Sequence, residues 1–207
     1  MNNKKSIRLE NITFSFSKND KPFFKNLTVE FESGKLHFLT GKNGVGKSTL
    51  FRLLQETVQG TCMVQQNINP MLADQFSFIE NVRLAAMPEY PGLCGLPKAK
   101  IFPELLNRFG IDMVKPVRLL SGGQRQILAI IMILQKECSL LLLDEPTAAL
   151  DDQNARLVMQ FLQELIVNTG LTVLVICHDV DLMNAYGTSR YVMTAHDEGQ
   201  RTIACIP

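Results

Sequence analysis

The sequence of 207 residues is 46% hydrophobic, and its 21 lysines and arginines nearly balance its 20 aspartates and glutamates. This length and apolar content allow one good core, so one domain with a small appended lobe is expected rather than two full domains. The net charge of +1 excludes an overall basic field that would hold nucleic acid non-specifically. No nucleic-acid partner is therefore expected.

The N-terminal stretch MNNKKSIRLENITF lacks the apolar core of a signal peptide, and no apolar run is long enough to span a membrane. We therefore expect a soluble, cytoplasmic protein. The cysteines show no C-x-x-C spacing, which predicts reduced, buried packing residues rather than a disulfide framework or a zinc site. These cysteines are Cys62, Cys94, Cys138, Cys177 and Cys205.

The chain begins with strand-like segments, IRLENITFSF at 7–16 and LTVEFESGKLHFLT at 27–40, separated by turn residues, and these N-terminal strands are expected to be antiparallel. A helical pattern follows at 47–58, and a short strand, TCMV, at 61–64. From 67 to 117 frequent prolines separate short helix-like pieces, at 78–87 and 102–111, which predicts a small helical lobe.

After this lobe the chain alternates between helix-like segments, at 126–135 and 148–168, and apolar strands, at 140–144 and 171–177. Strands that are apolar on both faces and separated by helices form a parallel sheet covered by helices. The predicted fold is α/β, in one domain of residues 1–207. Residues 1–66 and 118–207 would form the core and 67–117 the α-helical subdomain.

The segment GKNGVGKS at 41–48 fits the pattern G-x-x-x-x-G-K-S/T, with Gly41, Gly46, Lys47 and Ser48 at the defining positions. It lies between a predicted strand and a predicted helix, as a P-loop does, whereas an ordinary glycine turn is the alternative. Backbone N–H groups of such a loop bind phosphate oxygens, the lysine reaches the β and γ phosphates, and the hydroxyl binds Mg²⁺.

Polar side chains follow two further buried strands. Asp144 and Glu145 come directly after four leucines, and His178 follows TVLVIC. Each could simply mark the point where a strand meets water. Because ligands gather at the carboxyl ends of strands in open α/β sheets, we instead expect all three beside the P-loop. Asp144 would organise Mg²⁺, Glu145 would polarise the attacking water, and His178 would bond a γ-phosphate oxygen.

A second phosphate-binding turn is predicted in LLSGGQRQ at 119–126. Ser121, Gly122 and Gly123 present a hydroxyl and backbone N–H groups at the start of a helix. Because the first site already surrounds one nucleotide, this turn is best explained by a nucleotide that another copy or a partner holds. Dimerisation would then complete the active site.

Together these motifs resemble the ATP-binding cassette family, the ATPases of ABC transporters, over nearly the full chain. GKNGVGKST resembles the family's P-loop, LSGGQ its signature, LLLLDEPT its Mg²⁺ and catalytic strand, and AALD its D-loop. His178 resembles the family's switch histidine. The resemblance implies two cassettes packed head to tail around two ATP molecules, with Mg²⁺, each ATP lying between one P-loop and the opposing signature.

The resemblance also assigns individual residues. Phe16 would stack on adenine, unless it is a core residue, and Asp151 would contact the opposing subunit. Gln66, with Gln65 as the alternative, would sense Mg²⁺ and the γ-phosphate. The residues predicted to be catalytic are Lys47, Glu145 and His178, and those predicted to hold the metal are Ser48, Gln66 and Asp144. The residues predicted to hold ATP are Phe16, Gly41, Asn43, Gly44, Gly46, Lys47, Ser48, Thr49, Gln66, Ser121, Gly122, Gly123, Gln124 and Asp151.

Two departures from the family pattern stand out. The link from Lys47 to Gln66 lacks an antiparallel stretch that the family commonly has. Ile127 and Met132 occupy positions where the family often has arginines, so the helix after the signature is apolar all round and is expected to be buried on every side.

By the same resemblance, the segment at 71–87 would receive a membrane subunit, with the core of the small lobe as the alternative for most of its apolar residues. These are Met71, Leu72, Phe76, Phe78 and Met87. The leading prediction is thus the ATP-hydrolysing subunit of a membrane transporter, held at the inner face of the membrane by a permease subunit. The alternative is a soluble ABC ATPase of DNA repair or translation, and the transported substance stays open.

Overall fold

The computed structural model describes residues 6–17, 21–88, 98–196 and 200–206. Cys94, predicted to be a reduced, buried packing residue, lies outside these ranges, as do the prolines at 91 and 97, predicted to lie in the helical lobe. Within them, no helix combines the length and the apolar character that crossing a bilayer requires.

The chain opens with an antiparallel pair, β1 (Ile7–Phe14) and β2 (Phe24–Phe31), which forms a two-stranded sheet of its own. From Leu27 onward the side chains of β2 alternate, so that Leu27, Val29 and Phe31 are buried while the residues between them face solvent. This period of two fits a sheet with one face on the core and the other in water. The N-terminal antiparallel strands were predicted correctly.

A second sheet of six strands forms the centre of the molecule. Its order is β4-β5-β6-β3-β7-β8, and all neighbours are parallel except β7 and β8. The strands are β3 (Leu36–Thr40), β4 (Thr61–Val64), β5 (Leu140–Asp144), β6 (Thr172–Ile176), β7 (Ser189–Ala195) and β8 (Arg201–Ile206). Because β5, β6 and β3 are neighbours and parallel, the residues that follow their carboxyl ends meet at one edge.

The described ranges contain six α-helices: α1 (Lys47–Thr57), α2 (Phe78–Ala85), α3 (Pro103–Arg108), α4 (Gly122–Ile133), α5 (Asp152–Thr169) and α6 (Val180–Tyr186). Alternate residues of the central strands face opposite sides. Leu141 and Leu143 join the apolar cluster that contains α4 and α5, while Leu140 and Leu142 join the cluster that contains α1 and β2. The result is an α/β fold with a mainly parallel sheet, as predicted.

The helix after the signature is buried over most of its length. Residues from Ile127 to Ile131 are inaccessible to solvent, which agrees with the expectation for Ile127. Met132 and Ile133 are partly exposed, so the expectation of burial on every side was wrong at this end of the helix. α4 ends at Ile133, where the chain turns toward β5 and no element covers these two side chains completely.

Three further details differ from the sequence analysis. The helix predicted from 148 begins at Asp152, because Asp151 adopts an extended backbone and caps it. The C-terminal hairpin of β7 and β8 was not predicted. Cys205 on β8 is exposed rather than buried, while Cys62 and Cys177 are buried as expected. The described part of the 67–117 lobe shares one apolar cluster with the core, so its division into a subdomain stays a prediction.

Candidate nucleotide site

The P-loop joins the end of β3 to the start of α1. Gly41 and Gly46 have φ angles of 152° and 118°, which L side chains rarely adopt. A Cβ at Gly41 would lie 2.5 Å from the carbonyl oxygen of Met193, and one at Gly46 would lie 2.7 Å from the Phe23 ring. Glycine is therefore required at both positions, for conformation and for space.

Lys47, the first residue of α1, is buried although it is charged. Its Nζ donates to the carbonyl oxygens of Gly41, at 2.8 Å, and of Lys42, at 3.3 Å. Burial lowers the pKa of Lys47, and the Glu145 and Asp144 carboxylates oppose that shift. The loop thus folds around the ammonium group, which adds a positive charge to the P-loop.

A hydroxyl and a carboxylate lie side by side at the end of β5. Ser48 Oγ donates to Asp144 Oδ2 at 3.5 Å. Burial, followed by the neighbouring Glu145 carboxylate, raises the pKa of Asp144, against the effects of Ser48 and Lys47. Within the described ranges no group of three or more His, Cys, Asp or Glu residues could hold a metal. The Ser48–Asp144 pair nevertheless suits Mg²⁺, which binds through one or two protein oxygens when phosphates and water supply the remainder.

Glu145 is held between two of the other predicted residues. Its Oε2 accepts a hydrogen bond from Gln66 Nε2 at 3.0 Å, and its Oε1 lies 3.2 Å from His178 Nε2. Its φ of 49° is rare for a residue with a side chain, and its N–H donates to Ile176 O at 3.2 Å. The two flanking side chains and the strained backbone fix the direction of the carboxylate.

An open cleft of about 550 Å³ adjoins these groups. It is lined by Phe16, Phe23, Asn43, Gly44, Gly46, Lys47, Ser48, Thr49, Asp144 and Glu145. Phe16 is 60% exposed, so it is not a core residue, and its ring packs edge-on against Phe14 and Phe23. An exposed aromatic side chain at the mouth of a cleft provides a surface on which a base can stack.

Two residues beside the cleft, Phe23 and Arg201, were not predicted from the sequence. The Arg201 guanidinium lies 3.4 Å from the centre of the Phe23 ring and donates to Val45 O, in the P-loop, and to Phe23 O, both at 2.7 Å. Arg201 thus ties β8 to the P-loop. No sequence motif marks it, because the contact joins positions 156 residues apart.

The turn formed by Ser121, Gly122 and Gly123, called the signature turn, lies at the start of α4 and caps it. Ser121 Oγ accepts from the Gln124 N–H, and Gln124 Oε1 accepts from the Ser121 N–H, so the two residues form a capping box. Gln124 also donates through Nε2 to Gly110 O at 3.2 Å, so its side chain is fully engaged within its own chain. Ser121 and Gly122 are exposed, whereas Gly123 is buried against Asn154.

Among the described residues that line the cleft, none belongs to the signature turn. Asp151, the N-cap of α5, is exposed and also lies outside it. The N–H groups of Asn154 lower the pKa of Asp151. The structure therefore brings Lys47, Ser48, Gln66, Asp144, Glu145 and His178 together, whereas Ser121 and Asp151 are not among the described residues that line the cleft.

The sequence pattern described as "ABC transporter" matches residues 24–148, more than half of the chain. The chain belongs to the ABC transporter family. Its ATP-binding relatives include a phosphonates import ATP-binding protein of Trichormus variabilis, which is 31% identical over 85% of this chain and 84% of its own length. An ABC transporter ATP-binding protein of Enterococcus faecalis is 30% identical over 90% of this chain. This chain spans only 37% of that relative.

Solved structures of this family share the fold. The cbiO1 protein of Clostridium perfringens, part of the ABC transporter complex cbiONQ, superposes with a TM-score of 0.74, over 94% of this chain and 85% of its own, at 24% identity. A nucleotide-free ATP-binding cassette from an ABC transporter gives a TM-score of 0.73, over 95% of this chain and 90% of its own, at 20% identity. At such identities the likeness establishes the fold alone.

Proposed function

We propose that this chain is the ATP-hydrolysing subunit of an ABC transporter. One observation carries the proposal: the Glu145 carboxylate lies between Gln66 and His178, beside a cleft lined by Lys47, Ser48 and Asp144. A carboxylate fixed in direction next to a phosphate-binding loop is the arrangement that water attack on a phosphate needs.

Each residue then has a defined task. The N–H groups of the P-loop and the Lys47 ammonium bind the phosphates, and Phe16 carries the base. Glu145 accepts a proton from the attacking water, while Gln66 and His178 keep its carboxylate in place. A bound Mg²⁺ ion, held by Ser48 and Asp144 with Gln66 nearby, would supply positive charge against the charge that develops on the phosphate oxygens.

We propose further that two cassettes complete the site. Each of them would place its signature turn, with Ser121 and Gly122, on the nucleotide in the cleft of the other. The separation of the exposed turn from the cleft in a single copy supports this arrangement. Asp151 would lie at the interface. The second cassette is another copy of this chain or a related one.

The membrane partner is a permease subunit. Of the five apolar side chains predicted to form its docking surface, Phe78 is fully buried, and Met71 and Leu72 pack partly against the core. Phe76 and Met87 remain 46% and 36% exposed, and Leu84 between them is 42% exposed. We propose that these three receive the permease, which would hold the chain at the inner face of the membrane. Since the relatives that match over most of their length are import proteins, we propose import as the direction.

The test is Glu145→Gln, with Glu56→Gln on the exposed end of α1 as the matched control. Removing the general base should lower kcat at least about 100-fold and leave ATP binding intact, because the amide cannot accept the proton of water. Steady-state phosphate release and equilibrium binding of a fluorescent ATP analogue measure the two quantities. Unchanged turnover in Glu145→Gln would refute the assigned role.

The transport role needs a separate experiment. Glu145→Gln protein loaded with MgATP should recover a multi-span membrane protein from detergent-solubilised membranes of the native cell. Adding Phe76→Ser and Leu84→Ser to the Glu145→Gln protein should abolish recovery of that partner, whereas the same two changes in the parent protein should leave its ATPase activity unchanged. Recovery of ribosomes or DNA-repair proteins instead would support the soluble class of ABC ATPase.

A further inference from the structure

The signature turn has a partner inside its own chain, Asn154 on the first turn of α5. Asn154 Oδ1 accepts hydrogen bonds from Ser121 Oγ at 2.8 Å and from the Gly123 N–H at 3.2 Å. One amide oxygen thus takes two neighbouring donors of the turn. A hydroxyl and a backbone N–H at a helix N-terminus are also the groups that a phosphate oxygen binds.

The orientation of this amide is determined by its neighbours. Asn154 Nδ2 donates to both carboxylate oxygens of Asp151, at 3.1 and 2.9 Å. If the amide were flipped, its oxygen would face the Asp151 carboxylate, and its NH₂ group would face the Gly123 N–H. Both contacts would be repulsive, so the oxygen must face the turn and Ser121 must donate to it.

The contact is close because residue 123 is glycine. A Cβ at this position would lie 2.8 Å from Asn154 Oδ1 and 3.2 Å from Asn154 Cβ. The second glycine of the turn therefore makes room for the Asn154 side chain. Asn154 is neither part of the signature nor adjacent to it, and the contact joins positions 33 residues apart.

A serine hydroxyl has one hydrogen, and here that hydrogen is used by Asn154. Ser121 Oγ also accepts from the Gln124 N–H, at 3.3 Å. A hydroxyl in this state offers an arriving phosphate its lone pairs, which a negative oxygen repels. Capture of a phosphate by Ser121 and the bond from Ser121 to Asn154 therefore exclude each other.

We propose that Asn154 is a latch on the signature turn. In the empty protein it occupies the Ser121 hydroxyl, and the terminal phosphate of a nucleoside triphosphate, brought by a second copy of this chain, must displace it. The proposal rests on the two-cassette arrangement proposed above. Capture exchanges the neutral Ser121–Asn154 hydrogen bond for a charge-assisted bond from Ser121 to the phosphate, so the exchange is favourable. Breaking the first bond still has a cost, and the latch therefore raises the ATP concentration at which the two copies join.

The experiment follows ATP-driven dimerisation in the Glu145→Gln background by analytical ultracentrifugation during a titration with MgATP. Asn154→Ala should lower the half-saturating ATP concentration roughly fivefold, the factor that corresponds to one neutral hydrogen bond. Asn154→Leu, which keeps the side-chain bulk, should act in the same direction. Gln153→Ala, on the same exposed turn of α5, should change nothing.

A double-mutant cycle separates a latch from a general effect on the fold. In a Ser121→Ala background there is no hydroxyl to release, so most of the gain from Asn154→Ala should disappear. An equal gain in both backgrounds would overturn the latch. Weaker dimerisation in Asn154→Ala and Asn154→Leu would also overturn it, and would make Asn154 a support for Ser121. A parent that stays monomeric at saturating MgATP would instead refute the proposed pairing of two copies, and the latch with it.

Discussion

At the scale of single residues, the glycines of the P-loop differ in what they tolerate. Gly41 and Gly44 both have positive φ angles, but only Gly41 also lacks space, since a Cβ there would meet the Met193 carbonyl oxygen at 2.5 Å. A Cβ at Gly44 would meet nothing within 4 Å.

We therefore expect Gly44→Ala to lower the free energy of unfolding by about 1–2 kcal/mol, the penalty of a left-handed backbone alone, and to retain most ATP binding. Gly41→Ala should lower the free energy of unfolding by more and abolish ATP binding, because the backbone atoms of β7 cannot move away from the added Cβ easily. Chemical denaturation and nucleotide titration compare the two variants directly. Similar losses in both would show that space at Gly41 does not matter.

Asp144 predicts a pH dependence whose sign follows from its environment. Burial raises its folded pKa above the ordinary value, so the folded protein binds more protons than the unfolded chain between the two values. This stabilising effect is fully present below the unfolded pKa and is lost as pH rises through the folded pKa. At neutral pH the ionised Asp144 carboxylate therefore lowers the stability of the nucleotide-free protein.

Asp144→Asn should accordingly raise the Tm of metal-free, nucleotide-free protein at neutral pH, by about 2–4 °C for each kcal/mol recovered. The difference in Tm between variant and parent should become smaller as the pH is lowered through the range in which carboxyl groups titrate. Differential scanning fluorimetry across that range measures it. A variant that melts below its parent at neutral pH would contradict the argument. The same variant should lose MgATP turnover, which explains why a costly carboxylate occupies this position.

At the scale of elements, local signals predicted most boundaries and tertiary contacts decided the others. The apolar run at 140–144 and the P-loop between strand and helix were readable because they depend on neighbours in sequence. The helix was predicted to start at 148 because residues 148–150 continue the apolar pattern. α5 instead starts at Asp152, because Asp151 caps it. β8 was missed since its exposed side chains carry no strong period, and it is paired only through β7.

The capping box of α2 offers a prediction at this scale. Ser77 Oγ and the Glu80 carboxylate bond each other's N–H groups, which fixes the start of the helix below the exposed Leu84 and Met87. Ser77→Ala should destabilise the protein by about 1 kcal/mol, whereas Ser77→Asp should restore most of the loss, because aspartate also caps. Urea denaturation measures both. If Ser77→Asp unfolded as readily as Ser77→Ala, capping would not be the cause.

At the scale of the whole molecule, the candidate site is assembled from segments far apart in the chain. The cleft draws on residues from Phe16 to Glu145, and Arg201 joins the last strand to the P-loop. Sequence motifs predicted which residue types meet at this edge, because parallel strands bring their carboxyl ends together. They could not predict Phe23, Arg201 or Asn154, whose roles depend on packing between distant elements.

This assembly predicts that nucleotide stabilises the molecule as a unit. In the Glu145→Gln background, MgATP at 100 times its Kd should add about 2.7 kcal/mol and raise the Tm by about 5–10 °C. One cooperative transition should persist, since the apolar clusters on the two faces of the sheet share the strands that end at the cleft. Lys47→Ala should abolish the shift, whereas Lys98→Ala, an exposed lysine, should not. Scanning calorimetry shows whether unfolding remains a single transition when ATP is bound. Two separate transitions would mean that nucleotide binding stabilises only one of the two apolar clusters.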